Sequence, residues 1–165
     1  MSDLVFLASV EVCKGLSVDE LSRLTACCRP DSRLQEERIG REGDEASDVF
    51  FLKEGEVELR FEMPGRESGP EMAISRVKPG DTFGWSALVP PHRYTLSSYC
   101  GSVRCAFYRL DRQELLRLFE DNPHIGYIFM RNLTLVIAKR FHALQDDLAR
   151  LHGDDLLEQR PREIW

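Results

Sequence analysis

The chain has 165 residues, 42% hydrophobic and 30% charged, which suits one globular domain with a sizeable core and leaves little room for two. Its formal charge of −6 repels phosphate backbones on average, and no basic cluster large enough to reverse this locally is present, so direct nucleic-acid binding is not expected. Met1-Ser2-Asp3-Leu4 carries no basic segment ahead of an apolar stretch, and no apolar run approaches the roughly eighteen residues that span a bilayer. The expectation is a soluble, cytoplasmic protein without membrane contact.

The five cysteines (Cys13, Cys27, Cys28, Cys100 and Cys105) are odd in number and contain no C-x-x-C pair, which fits neither a disulfide framework nor a zinc site. They read as reduced thiols.

Ser17, with Glu20 three residues on, has capping-box spacing, and Val18, Leu21 and Leu24 recur at helical intervals, so a helix is expected from Ser17 to Cys28, ended by Arg29-Pro30. From about residue 33 to 110 short β-prone runs alternate with glycine-bearing turns at Gly43-Asp44, Glu54-Gly55, Pro64-Gly65, Pro79-Gly80-Asp81 and Cys100-Gly101, the spacing of an antiparallel roll. Val57, Leu59 and Phe61 alternate with Glu56, Glu58, Arg60 and Glu62, and Val103, Cys105 and Phe107 alternate with Arg104, Ala106 and Tyr108. One face of each strand is expected to pack inward, with the segment 63–70 as an exposed hairpin tip.

Asp111 is a candidate N-cap with Glu114 in the capping-box position, and Asn122-Pro123 starts a further helix. Along that helix Met130, Thr134, Ile137, Phe141, Leu144, Leu148 and Leu151 keep a strict four-three alternation, which reads as a coiled-coil seam between two copies of the chain. The tail from Gly153 is charged.

The run from Arg41 through Gly43-Asp44, Val49-Phe50-Phe51-Leu52 and Glu54-Gly55 to Leu59, continued by Val77-Lys78-Pro79-Gly80-Asp81-Thr82-Phe83-Gly84 and on to Arg93, resembles the cyclic-nucleotide-binding domain family of Crp/Fnr-type regulators and kinase regulatory subunits. The resemblance covers roughly residues 4 to 150. It implies a mainly β fold with flanking helices: a double-stranded β-helix, or jelly roll, with N-terminal helices and a long C-terminal dimerisation helix. The chain then divides into a helical segment 1–30, a β-roll 31–110 holding a phosphate-binding cassette, C-terminal helices 111–152 and a tail 153–165.

By that resemblance the cassette is Phe83 to Thr95. Arg93 falls at the family's phosphate-binding arginine, whose guanidinium can grip two oxygens, and Gly84 with the backbone amides of Ser86, Ala87 and Leu88 would cradle the same anion. Trp85 departs from the pattern, standing where the family has a glutamate for the ribose 2′-hydroxyl. An indole only donates, so that recognition is lost at about 2–3 kcal/mol. Trp85 either stacks on a planar ligand or fills the vacated sugar space. Tyr94 replaces a small residue, and Leu144 and Gln145 stand where tight cAMP binders place hydroxyls; Gln145 can still offer an amide to a base.

The expected function is a regulatory sensor of an anionic, phosphate-containing small molecule, a nucleotide among the candidates, signalling through dimer geometry or a partner protein, with no other cofactor. The four histidines (His92, His124, His142 and His152) form no His-x-His pair, so metal-dependent catalysis on a cupin-like barrel is not expected. The scattered cysteines argue against an iron–sulfur cluster. Fifteen residues follow Arg150, too few for the winged helix-turn-helix of Crp/Fnr regulators. The alternatives are a dimerisation scaffold with a decayed pocket, and one part of such a regulator.

Overall fold

A computed structural model describes residues 3–63, 65 and 68–152, for the last two of these by backbone only. The tail from 153, and with it Trp165, lies outside the described residues, as do three positions of the 63–70 tip.

Helix α1 (Asp3–Ser9) and helix α2 (Val18–Thr25) precede eight strands. The capping box of α2 forms as its spacing demands: Ser17 Oγ accepts from Glu20 N–H at 3.3 Å, and Glu20 accepts from Ser17 N–H at 2.8 Å. Leu21 and Leu24 are buried, whereas Val18 is exposed. The helix ends before Arg29-Pro30, because that pair already belongs to strand β1 (Cys28–Leu34). Pro30 is tolerated there because β1 is the outer strand of its sheet.

The other strands are β2 (Arg38–Gly40), β3 (Asp48–Glu54), β4 (Val57–Arg60), β5 (Ala73–Val77), β6 (Thr82–Phe83), β7 (Ser97–Cys100) and β8 (Arg104–Asp111). They form two four-stranded antiparallel sheets, ordered β1-β8-β3-β6 and β2-β7-β4-β5, facing each other as a jelly roll. Helix α3 (Arg112–Asp121) and helix α4 (Pro123–His152) close the chain. Asp111 caps α3 by accepting from Gln113 and Glu114 N–H at 2.9 and 3.0 Å; Glu114 itself pairs with Arg29 rather than completing a box.

Two apolar cores follow. Inside the roll Phe50, Leu52, Phe83, Phe107, Cys100 and Cys105 are buried between the sheets, with Phe50 and Phe83 stacked at 4.8 Å. Outside, Phe51, Tyr108 and Leu110 pack on Phe6, Leu7, Leu24, Leu115, Phe129 and Leu133 of the helices. The first sheet is therefore covered on both faces, which is why β8 buries Tyr108 as well as Phe107, while Val103 lies ahead of the strand and is exposed.

On β4 the simple alternation fails for a different reason. Phe61 lies beyond the strand and is exposed, whereas Glu58 and Arg60 are buried as an ion cluster. Arg60 donates to Glu58 at 2.6 Å and to both Glu36 carboxylate oxygens at 2.8 and 2.9 Å, and its guanidinium lies 4.6 Å from the Tyr99 ring centre. A charged residue can occupy a buried position when every donor is used.

Candidate functional site

The site grows from a turn that only glycine permits. Gly84 has φ +69°, and a Cβ there would meet the Phe50 ring at 2.7 Å and the Asp48 carbonyl oxygen at 3.0 Å. The chain thus leaves β6 sharply into a 3-10 turn, Trp85–Leu88, laid against the roll. After this turn, residues 43–46 and 92–94 pair in antiparallel fashion: Ala46 N–H donates to His92 O at 2.7 Å, Tyr94 N–H to Asp44 O at 3.1 Å and Gly43 N–H to Tyr94 O at 2.8 Å.

Between the second sheet, this turn and the middle of α4 lies a cavity of about 350 Å³. Leu59, Ile74 and Ser98 form its sheet wall, Gly84, Trp85 and Ser86 one rim, Tyr94 and Leu96 the floor, and Ile137, Arg140, Phe141 and Leu144 the helix side. It is an apolar chamber with few polar groups, the usual composition of a small-molecule site.

Of the residues singled out from sequence, Gly84, Trp85, Ser86 and Tyr94 line this cavity. Trp85 is half-buried, lines the cavity and also packs on the outer core. Tyr94 is held by its hydroxyl, which accepts from Asp48 N–H at 3.3 Å and donates to Asp48 O at 3.1 Å; burial pushes its phenol above the ordinary range.

Arg93 is not with them. Neighbours on an extended segment point to opposite faces, and Tyr94 takes the inward one. Arg93 is exposed, donates to Gly43 O at 2.8 Å, and borders a separate shallow cleft with Glu45, His92 and Arg112. Within the turn, the central amide is engaged locally. Ala87 N–H is spent on Gly84 O at 3.1 Å, Ala87 is buried in the outer core, and Leu88 packs against that core. Gln145 is half-buried on α4 outside the cavity lining. Arg93 and the turn residue Ser86 thus border different clefts.

Sequence reasoning missed the chamber's cation. Arg140 reaches from α4 to donate to Thr82 O at 2.5 Å, and burial pulls its guanidinium below the ordinary range. Its position three residues beyond Ile137 places it on the inner face of α4, a signal that helical periodicity contained. Leu96 and Ser98 also line the chamber; Ser98 lies on β7, whereas Tyr94, Thr95 and Leu96 line it consecutively from the bent segment before that strand, which no alternation in the sequence marks.

Farther out, Met130, Phe141, Leu144 and Leu148 of the four-three stripe are exposed, and Ile137 is half-buried against the outer core. Phe141 and Leu144 belong both to the exposed stripe and to the cavity wall. Among the described residues no cluster of three His, Cys, Asp or Glu could hold a metal ion, and no helix is long and apolar enough to cross a membrane.

Comparison with known proteins places this geometry among relatives. The sequence pattern of the cyclic nucleotide-binding domain matches residues 33–122. The cAMP-dependent protein kinase type II regulatory subunit of Drosophila melanogaster is 33% identical over 103 residues, 61% of this chain and 26% of that protein. Glutaminase 1 of Bradyrhizobium diazoefficiens is 27% identical over 135 residues, 81% of this chain and 20% of that protein. The chain thus spans about a quarter or less of these curated relatives. Among solved structures, a cyclic nucleotide-binding protein from Geobacter metallireducens superposes with a TM-score of 0.72 at 23% identity, covering 86% of this chain and all of that one.

Proposed function

The chain belongs to the cyclic nucleotide-binding domain family, a family of regulatory ligand-binding domains, and from that premise we propose that it is a non-enzymatic, cytoplasmic sensor whose ligand is an anionic small molecule seated in the chamber between the second sheet and α4. The observation that carries this reading is the chamber itself: about 350 Å³ sits inside the roughly 300–1,000 Å³ range of small-molecule sites, and it opens where the family's cassette turn meets the long helix. The exposed stripe on α4 supports a homodimer built on that helix. Because Phe141 and Leu144 serve both the stripe and the chamber wall, a partner helix would cover the chamber's mouth and couple occupancy to dimer geometry.

Cyclic nucleotides are expected to bind poorly here. Trp85 supplies no acceptor to a ribose hydroxyl, and Arg93 faces away from the chamber. Calorimetry with cAMP and cGMP is expected to give dissociation constants above roughly 1 µM, and submicromolar binding of either contradicts the reading. The outward Arg93 also favours a second reading, a dimerisation scaffold without a guest. Ala143→Trp separates the two: Ala143 is exposed and lines the chamber, so a bulky ring there blocks a guest while sparing both cores. A sensor loses binding of small organic anions in this variant, and a scaffold shows none in either protein.

A further inference from the structure

Arg140 lines a mostly apolar chamber whose other polar side chains are the hydroxyls of Ser75, Ser86, Tyr94, Thr95 and Ser98 and the Asp147 carboxylate, and among the residues lining it no other cation is present. A guanidinium carries five donor hydrogens, and the hydrogen bond it makes among the described residues goes to the Thr82 carbonyl oxygen. No carboxylate among the described residues lies within ion-pair distance; Asp81 and Glu11 act on it only from farther off, and Glu11 is engaged by Lys139. A cation taken out of water without a carboxylate partner is costly, and burial accordingly disfavours its charge. At the cassette rim Trp85 has no acceptor, and the neighbouring Ser86 offers a neutral hydroxyl rather than a carboxylate. Arg140 is thus a half-buried positive charge on the wall of a mostly apolar chamber, with its hydrogen bond among the described residues made to a backbone carbonyl and none to a carboxylate.

The other charged lining group is Asp147, seven residues along the same helix and so about 10 Å away, paired with Arg150 at 3.8 Å. It repels a second negative charge at that end. Trp85, Ile137, Phe141 and Leu144 line the chamber with rings and branched chains, and the sheet and turn sides add the neutral hydroxyls of Ser75, Ser86, Thr95 and Ser98. A ligand matched to these walls has an apolar body and one anionic end.

Resting on the chamber being the ligand site, we propose that it selects an organic monoanion, an aromatic or branched apolar body bearing a single carboxylate, and that Arg140 rather than Arg93 is its counter-ion. The carboxylate takes the guanidinium's free edge, and the body fills the space between Trp85 and Phe141. A polyphosphate or a dianionic ester is a poor match, because the chamber offers one cation, and the other charged group in its lining, Asp147 two turns along the same helix, is a carboxylate.

The test uses 1-naphthoate and its neutral isostere 1-naphthamide as probes, titrated into the whole chain by calorimetry, with Trp85 fluorescence followed in a Trp165→Phe background. The carboxylate is expected to bind at least about tenfold more tightly than the amide, the equivalent of ~1.4 kcal/mol. Arg140→Gln should erase that preference, Arg140→Lys should keep most of it, and Arg93→Ala should leave it unchanged. Circular dichroism of each variant establishes that it is folded, and the carboxylate–amide comparison in the unaltered protein needs no variant at all. Equal binding of both probes, with the Trp85 signal responding, overturns the counter-ion assignment and leaves the chamber as the ligand site. A preference lost in Arg93→Ala but kept in Arg140→Gln overturns it in favour of the outer cleft. No binding of either probe overturns it as well, and if small organic anions and cyclic nucleotides also fail to bind, the sensor reading falls with it.

Discussion

The Tyr94 hydroxyl bridges both backbone groups of Asp48, accepting from its N–H at 3.3 Å and donating to its carbonyl at 3.1 Å. This pair of bonds fixes the start of β3 to the segment after the cassette turn, and it is what commits Tyr94 inward and Arg93 outward. Tyr94→Phe leaves two half-buried backbone groups short of a partner and is expected to cost about 1–3 kcal/mol of stability in urea denaturation. A loss within experimental error would show that the bridge does not hold the segment.

Gly84→Ala meets two obstacles at once, a left-handed backbone and a Cβ 2.7 Å from the Phe50 ring. The expected destabilisation is about 2 kcal/mol or more, read as a lowered thermal midpoint. Because Phe50 stacks on Phe83 inside the roll, the same change should also broaden the aromatic near-ultraviolet signal.

The buried charge cluster behaves differently from a surface ion pair. Arg60 is fully buried and its guanidinium is held charged chiefly by Glu36, so Arg60→Ala, which leaves the buried Glu58 with the exposed Arg76 at 3.4 Å, is expected to cost about 3–5 kcal/mol. Glu36 is held below its ordinary value of 4.5 by the Arg60 hydrogen bonds. A depressed carboxyl contributes stability above the unfolded value and loses it as pH falls through the folded one. The stability gap between the unaltered protein and Glu36→Gln is therefore expected to be full at neutral pH and to close below pH 4.5. A gap independent of pH would contradict the pairing.

Thiol reactivity should follow burial. Cys13, Cys100 and Cys105 are buried, and burial pushes the Cys28 thiol up to about 12. In the folded protein at pH 8 a disulfide reagent is expected to reach the half-buried Cys27 first and the buried three only at the rate of unfolding. Rapid titration of all five would show a looser roll than this one.

Dimerisation rests on the α4 stripe. Met130→Glu combined with Leu148→Glu, both at exposed positions, should give monomers by light scattering with little loss of helix content. A dimer that persists has its interface elsewhere.

Much of this was legible in the sequence because local chemistry decides it: Ser17 and Asp111 cap helices wherever their backbones turn, and glycine-marked turns at regular spacing define a roll. What was not legible depended on neighbours brought from afar. Arg60 and Glu58 read as a solvent face because nothing local shows that Glu36 and Tyr99 will enclose them. Arg93 read as a ligand residue because the motif fixes its position in the chain, while its direction is set by the pairing of residues 43–46 with 92–94. Arg140 sits beside Ile137, Phe141 and Leu144 of the stripe on α4, and only the packing of that helix on the second sheet shows that this side closes a chamber.

The most direct measurement is a methyl-resolved carbon–proton NMR titration of the whole chain with cAMP, cGMP and a panel of small aromatic carboxylates. At least one carboxylate is expected to shift the methyls of Leu59, Ile74, Ile137 and Leu144, which line the chamber, and Arg93→Ala to leave those shifts in place. Shifts confined to residues around Glu45, His92 and Arg93, or no shift with any member of the panel, would contradict it.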